Sequence, residues 1–234
     1  MSLKSKLFGK SSKSDPTRRL FTTLQALGYA PGHIIDIGGN RGDWTRKALE
    51  AYPKANVTVF EPQKSLATYH QDIAARSNVE IVYAGVGDQD GEASFTIHDR
   101  DDSSSFLYSE EQASDKGFER ETMQIHALDT FTKTCQFGAP NMIKIDAEGI
   151  DLQVLDGAKE TLKGVDLFLI EATIANKDYP NTVLEVLKKA ESLGFQLFDI
   201  TDLNRTPQRG VLWLVELVFV KPGSALDRAS EVYA

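Results

Sequence analysis

Hydrophobic and polar positions along this chain follow two alternating periods, and the changes of period mark its elements. Asp15-Pro16 has the residues of a helix start, a capping acid followed by proline at the first helical position. Leu20, Phe21, Leu24 and Leu27 then share one helical face up to Gly28. An apolar strand is expected over 33–37, a helix over 42–52, and a second β-branched strand over 57–61. A second helix, 63–76, leads to a third strand, 79–84. This order is βαβαβ, which requires parallel strands joined by right-handed crossovers.

Beyond Gly91 the pattern changes. Ala93, Phe95 and Ile97 alternate with Ser94, Thr96 and His98, and 122–128 is similarly strand-like. Between them the polar stretch 99–121 reads as a loop or lid. A fourth parallel strand is expected over 141–146, followed by a helix through Leu152, Leu155 and Leu162, a fifth strand over 167–171, and a helix over 181–193. The segments 195–200 and 211–220 follow with no helix between them, so they must be antiparallel neighbours or a wide hairpin. The predicted fold is α/β: a mostly parallel sheet with helices on both faces and an antiparallel strand at the C-terminus. No repeat or low-complexity linker divides it, so the domain organisation is a flexible basic tail over 1–15 and a single domain over 16–234.

Two of these strand ends carry chemistry. The first runs into Asp36-Ile37-Gly38-Gly39-Asn40-Arg41-Gly42, and the second ends on Glu61, twenty-five residues after Asp36. Glycine lets backbone approach a ligand closely, and an acid at the next strand end can accept both hydroxyls of a ribose. A bare βα turn with no ligand would also use these glycines, but it would not need Glu61 at this distance. The pair points to a nucleoside cofactor. A dinucleotide site uses G-x-G-x-x-G to seat a pyrophosphate on a helix N-terminus. Here an acid precedes the first glycine, which would repel a pyrophosphate but suits a cofactor carrying an amino acid and a cationic sulfur. S-adenosyl-L-methionine (SAM) has that chemistry.

Composition narrows the class further. A net charge of −8, with no basic stripe, gives no electrostatic case for nucleic acid. The single Cys135 excludes an intrachain disulfide or a cysteine-based zinc cluster. No apolar run of 18 residues occurs and no signal-peptide core is evident, so no stable membrane insertion is expected and a cytoplasmic location is the default. Leu3, Leu7 and Phe8 among the tail lysines offer a weak membrane-surface alternative to a solvated tail.

Asp36-Ile-Gly-Gly-Asn-Arg-Gly, Phe60-Glu61-Pro62, Ser103-Ser104-Ser105, Leu128-Asp129-Thr130-Phe131, Lys144-Ile-Asp-Ala-Glu-Gly149 and Val154-Leu155-x-Gly157-Ala158 occur in that order. Over about residues 30–175 the chain thereby resembles the FkbM-type SAM-dependent methyltransferases. Gly39 and Ala147 depart from the alanine and valine common there, without loss of a functional group. The resemblance implies a class I SAM-dependent methyltransferase (Rossmann-like) fold. It also implies an activity, methylation of a hydroxyl on a small molecule such as a sugar, glycan or secondary metabolite. Asp36, Gly38, Asn40 and Gly42 would cradle the methionine part, Glu61 would bind the ribose diol, and Val86 and Gly87, within 84–88, would flank the adenine unless that segment is an ordinary glycine turn. Thr45 would reach the cofactor carboxylate or serve only as a helix residue.

Asp146 and Glu148 follow a buried strand at its carboxyl end, where open α/β sheets bind ligands. They are the candidate catalytic pair, as a base for the hydroxyl proton or as ligands of a divalent metal, with Glu171 as a third oxygen. Alternatively, Glu148 caps the next helix and Asp146 organises the turn. Lys144, inside the strand, needs an acid partner. His98 and His126 are weaker candidates, and the acids at 99–102 belong to the same loop as the serine run. Two other functions compete: an NAD-dependent oxidoreductase or epimerase, which would lack its glycine pattern here, and a non-catalytic SAM-binding module. The sequence carries no signal for oligomeric state and does not name the acceptor.

Overall fold

Isoleucines alternate across β1 (His33–Ile37): Ile34 and Asp36 face one side of a sheet, and Ile35 and Ile37 face the other. The computed structural model describes residues 15–97, 105–106, 108–174 and 179–227. Tail residues 1–14, His98, the acids at 99–102, Ser103 and Ser104 therefore lie outside the described residues.

After α1 (Pro16–Ala26) and β1, the chain forms α2 (Asp43–Ala51), β2 (Asn56–Phe60), a 3-10 turn (Lys64–His70) running into α3 (Gln71–Ala74), and β3 (Val79–Val82). A small excursion follows: β4 (Gly85–Val86), β5 (Gly91–Ile97), α4 (Glu110–Lys116), β6 (Glu119–His126) and α5 (Leu128–Phe131). The chain returns through β7 (Met142–Ile145), α6 (Asp151–Asp156), a 3-10 turn (Thr161–Gly164), β8 (Leu167–Thr173), α7 (Val183–Ser192), β9 (Gln196–Arg205) and β10 (Leu212–Val220).

The main sheet has seven strands in the order β3-β2-β1-β7-β8-β10-β9. β3, β2, β1, β7 and β8 pair in parallel, and β10 lies antiparallel between β8 and β9. Sequence direction across the sheet reverses between β1 and β7, so a cleft opens at the carboxyl ends of these two strands. One face packs Ile35, Ile37, Phe60, Ile143 and Ile170 against Leu155 and Val186 of α6 and α7. The other packs Ile34, Val57, Met142 and Leu169 against Leu20, Phe21 and Leu24 of α1 and Leu49 of α2. Both faces are covered, as a parallel sheet requires. Among the described residues no helix is long and apolar enough to cross a membrane.

Four sequence expectations are corrected. The polar stretch at 99–121 contains α4, held by a capping box in which Ser109 Oγ accepts from Gln112 N and Gln112 Oε1 accepts from Ser109 N. Its one buried side chain is Ala113, so hydrophobic periodicity had nothing to reveal. The strand expected from 122 begins at Glu119 and pairs with β5 and β4 in a second, three-stranded sheet. The helix expected over 63–76 is a 3-10 turn followed by one α-helical turn. The helix expected through Leu162 stops at Asp156.

The residue at that stop, Gly157, is fixed by close packing against the turn after β4. A β-carbon on Gly157 would lie 2.1 Å from the Gly87 carbonyl oxygen, and the Gly157 carbonyl accepts from Asp129 N at 2.8 Å. Asp129 in turn accepts from Glu160 N and Thr161 N, which starts the following 3-10 turn. Gly157 has an ordinary φ of −84°, so its need for glycine is spatial alone. Gly157→Ala is expected to destabilise the fold by about 1–3 kcal/mol through overpacking, read as a lowered urea midpoint with an unchanged slope.

Candidate active site

The turn after β1 is built by contact with β2. Gly38 N and Gly39 N both donate to the Phe60 carbonyl, at 2.9 and 3.0 Å. Gly38 has φ +74°, and a β-carbon there would lie 1.8 Å from the carbonyl oxygen of Asp146. The β1 and β7 turns are thus in direct backbone contact. At Gly39, Val59 Cγ1 occupies the space an alanine would need, at 2.3 Å. Asn40 follows with φ 44°, and its N–H donates to Glu61 Oε2 at 2.7 Å. Gln63 N donates to Glu61 Oε1 at 2.8 Å. Glu61 is 2% exposed. Burial raises its carboxyl, and the amides of Gln63 and Asn40 counter part of that shift.

These residues wall a cleft whose empty space, counted with the solvent at its opening, is about 570 Å³. Gly38, Asn40 and Glu61 line it together with Ala84, with Gly85 and Val86 of β4, and with Asp146, Ala147 and Glu148, while Phe60, Phe95 and Phe106 supply apolar surface. Six of the predicted site residues therefore share one cavity: Gly38, Asn40, Glu61, Val86, Asp146 and Glu148. Three do not line it. Asp36 is fully buried behind the wall, where Thr45 Oγ1 donates to its Oδ2 at 2.5 Å. That bond engages the Thr45 hydroxyl. Gly42 sits at the N-cap of α2 with φ 82°. Gly87 lines a neighbouring groove with Asp88, Asp90 and Glu92.

Lys144 finds the acid partners its position requires. Its Nζ donates to Asp146 Oδ2 at 2.8 Å and to the Gly38 carbonyl at 3.2 Å, and lies 3.7 Å from Asp36 Oδ1. Burial alone would lower this ammonium, but the charges of Asp146, Asp36 and Glu171 reverse the effect and raise it, so it stays protonated. The Asp146 side chain is 27% exposed, and its carboxylate is oriented by Lys144. Glu171, on β8, lies opposite Glu216 of β10 in the antiparallel ladder. Burial and the charge of Asp146 push Glu171 well above the usual carboxylate range, with Lys144 opposing. Among the described residues no three His, Cys, Asp or Glu side chains converge as a metal-binding group.

The turn at 146–149 is organised by a residue the sequence reading passed over. Asp151 is 1% exposed and accepts from Ala147 N at 2.9 Å, from Gly149 N at 3.1 Å and from Asn181 Nδ2 at 3.0 Å. Glu148, between the two amides, has φ 50°, and Ser105 Oγ donates to its carbonyl at 2.6 Å. The N-cap of α6 is Ile150, without a side-chain cap, so Glu148 does not cap that helix. An acid two residues past a glycine turn is the signal that would have pointed to Asp151. His126 stands away from the cleft, 3.7 Å from Asp90 and against Phe60 and Phe131. Cys135 is a free thiol, its Sγ 3.9 Å from Thr58 Oγ1.

Burial raises the Asp151 carboxyl from 3.8 to about 6, against the pull of the Ala147 amide. Because the folded value exceeds the unfolded one, this group stabilises the fold most below pH about 4, and that contribution is lost as pH rises through about 6. The stability difference between wild type and Asp151→Asn is therefore expected to be larger at pH 4.5 than at pH 7.5 by about 2 kcal/mol, measured by urea unfolding at both values.

Residues 36–197 match the family model described as "Methyltransferase FkbM domain". The chain is 28% identical over 175 residues to hexuronic acid methyltransferase AglP of Haloferax volcanii, covering 74% of this chain and 66% of that protein. It is 25% identical over 142 residues to Methyltransferase 1 of Beauveria bassiana, covering 53% of this chain and 57% of that one. The matches thus span less than two thirds of either curated relative. Among solved structures, a putative RNA methyltransferase, PH1948 from Pyrococcus horikoshii, aligns with a TM-score of 0.51 at 13% identity, covering 88% of this chain and 82% of that one. Magnesium protoporphyrin IX methyltransferase (ChlM) from Synechocystis PCC 6803, with bound SAM, aligns with a TM-score of 0.50 at 11% identity, covering 88% and 77%. The fold is that of class I SAM-dependent methyltransferases, and with a match running from the glycine turn to the start of β9, the chain belongs to the FkbM methyltransferase family.

Proposed function

We propose that the chain transfers a methyl group from SAM to a hydroxyl of a small molecule such as a sugar, a glycan or a secondary metabolite. One observation carries the cofactor half of this reading: Glu61, at the end of β2, has both oxygens oriented by main-chain amides in the lining of a partly apolar cleft. A carboxylate held this way is a ready acceptor for two adjacent hydroxyls, and charged hydrogen bonds are the strong ones. The cleft also fits the rest of the group. Ala84, Val86 and Phe106 offer apolar surface for an adenine, and Asp146 and Glu148 give part of the lining an acidic character suited to a sulfonium. When bound, SAM supplies a methyl group on a cationic sulfur, open to in-line displacement by a nucleophile.

The residues themselves contribute alignment and a proton acceptor. Alignment supplies most of the acceleration in a displacement of this kind, and a base adds about 10²–10⁴-fold. Asp146 is the base in this reading: Lys144 fixes its orientation, and its exposed part faces the cleft. Asp146 would take the proton of the acceptor hydroxyl as the hydroxyl oxygen displaces the sulfur, now a neutral thioether, from the methyl carbon. Glu148, on the same turn, completes the acidic wall. The name of the Haloferax volcanii relative, a hexuronic acid methyltransferase, supports a carbohydrate as the acceptor class.

Glu61→Ala is expected to weaken SAM binding by about 1.5–3 kcal/mol with the fold intact, measured by titration calorimetry. Unchanged affinity would remove Glu61 from the cofactor site. Asp146→Asn is expected to lower kcat by about 10²-fold or more while SAM affinity stays within about threefold. A near-normal rate would reject Asp146 as the base and leave the methyltransferase reading in place.

A further inference from the structure

Asn40 and Glu148 are the two non-glycine residues with positive φ among the described residues, and both line the cleft. A non-glycine residue stays in that region only where its surroundings hold it there. Asn40 is held by His70. The His70 ring is completely buried, and its Nε2 lies 2.5 Å from the Asn40 carbonyl oxygen. The ring is fixed on its other side by Tyr83, whose hydroxyl lies 3.3 Å from Nδ1 and whose ring stacks on it at 6.0 Å and 26°. Gly42 packs close to the same ring, a β-carbon there lying 3.5 Å from His70 Cδ2.

The chemistry of these partners assigns the hydrogen. A carbonyl only accepts, so Nε2 carries the proton and donates to Asn40. Nδ1 then accepts from the Tyr83 hydroxyl. Burial and the nearby Glu61 charge raise the Tyr83 phenol, which keeps it protonated and able to donate. A directional chain thus runs from the Tyr83 hydroxyl through His70 to the Asn40 carbonyl, and from the Asn40 amide to Glu61 Oε2 at 2.7 Å.

We propose that His70 is a positioning residue for the cofactor: its Nε2–H holds the left-handed turn at Asn40, which in turn orients Glu61 toward the ribose. The proposal rests on the reading of Glu61 as the ribose acceptor. His70 itself does not line the cleft, so it acts only through Asn40. A glutamine at position 70 can place an amide nitrogen where Nε2 lies, whereas an asparagine is a carbon shorter and cannot reach the Asn40 carbonyl.

Three measurements test this together. Calorimetry with SAM is expected to show His70→Ala and His70→Asn weakened by about tenfold or more, the scale of one buried hydrogen bond, with His70→Gln within about threefold of wild type. Hydrogen exchange of the amides at 38–42 is expected to rise in the alanine and asparagine variants and to remain protected in the glutamine variant. Nitrogen-15 NMR of the wild-type imidazole is expected to show the Nε2–H tautomer, which needs no variant to fold. An Nδ1–H tautomer, or a glutamine variant as weak in SAM binding as the alanine variant, would overturn the proposal. Alanine-variant affinity within about threefold of wild type would also overturn it, reducing His70 to core filling. Wild-type protein that does not bind SAM would instead overturn the cofactor reading, and the exchange and tautomer results would still decide whether His70 holds the turn.

Discussion

A lysine in the middle strand of a sheet covered on both faces must find its counter-charges within reach of one side chain, and that requirement shapes the site around Lys144. Its ammonium meets a carboxylate from β1, a carboxylate from the turn after β7, and the carbonyl of Gly38 between them. The two turns can converge on it only because Gly38 lacks a β-carbon and Asp146 offers its backbone at the same point. Buried charge needs pairing, and here the pairing brings the glycine turn and the acidic turn together in the lining of one cleft.

Acids dominate the layer beneath and beside that cleft. Asp36, Glu61, Asp151 and Glu216 are buried, and burial raises each of them. Backbone amides at Glu61 and Asp151, and hydroxyls of Thr45 at Asp36 and of Thr201 at Glu216, supply the compensating donors. The acids are therefore fixed in place by fold elements rather than by mobile counter-ions. Such preorganisation is what a displacement reaction needs from its protein.

Much of the frame was legible because each strand carries its own period. The apolar runs at 33–37 and 141–146 mark β1 and β7, and the missing helix before 211 marks the reversed β10. Glu61 was legible from its distance to the glycine turn. Other parts had no local signature. α4 buries only Ala113, so it has no apolar stripe, and β4 is two residues long. Asp36 is engaged behind the cleft wall by Thr45 and by Lys144, the latter from a strand more than a hundred residues away in sequence. His70 was missed because it acts on a backbone carbonyl of another residue, which no side-chain pattern encodes, whereas Asp151 had only its place two residues past Gly149 to mark it.

Glu61 also has a bearing on how this site tolerates change over evolution. Both of its oxygens accept from main-chain amides, those of Asn40 and Gln63, and the Gln63 side chain adds a further hydrogen bond. In the proposed reading, recognition of a ribose would then be written largely in the path of the main chain. A substitution that leaves this path unchanged would leave both amide bonds to the carboxylate in place.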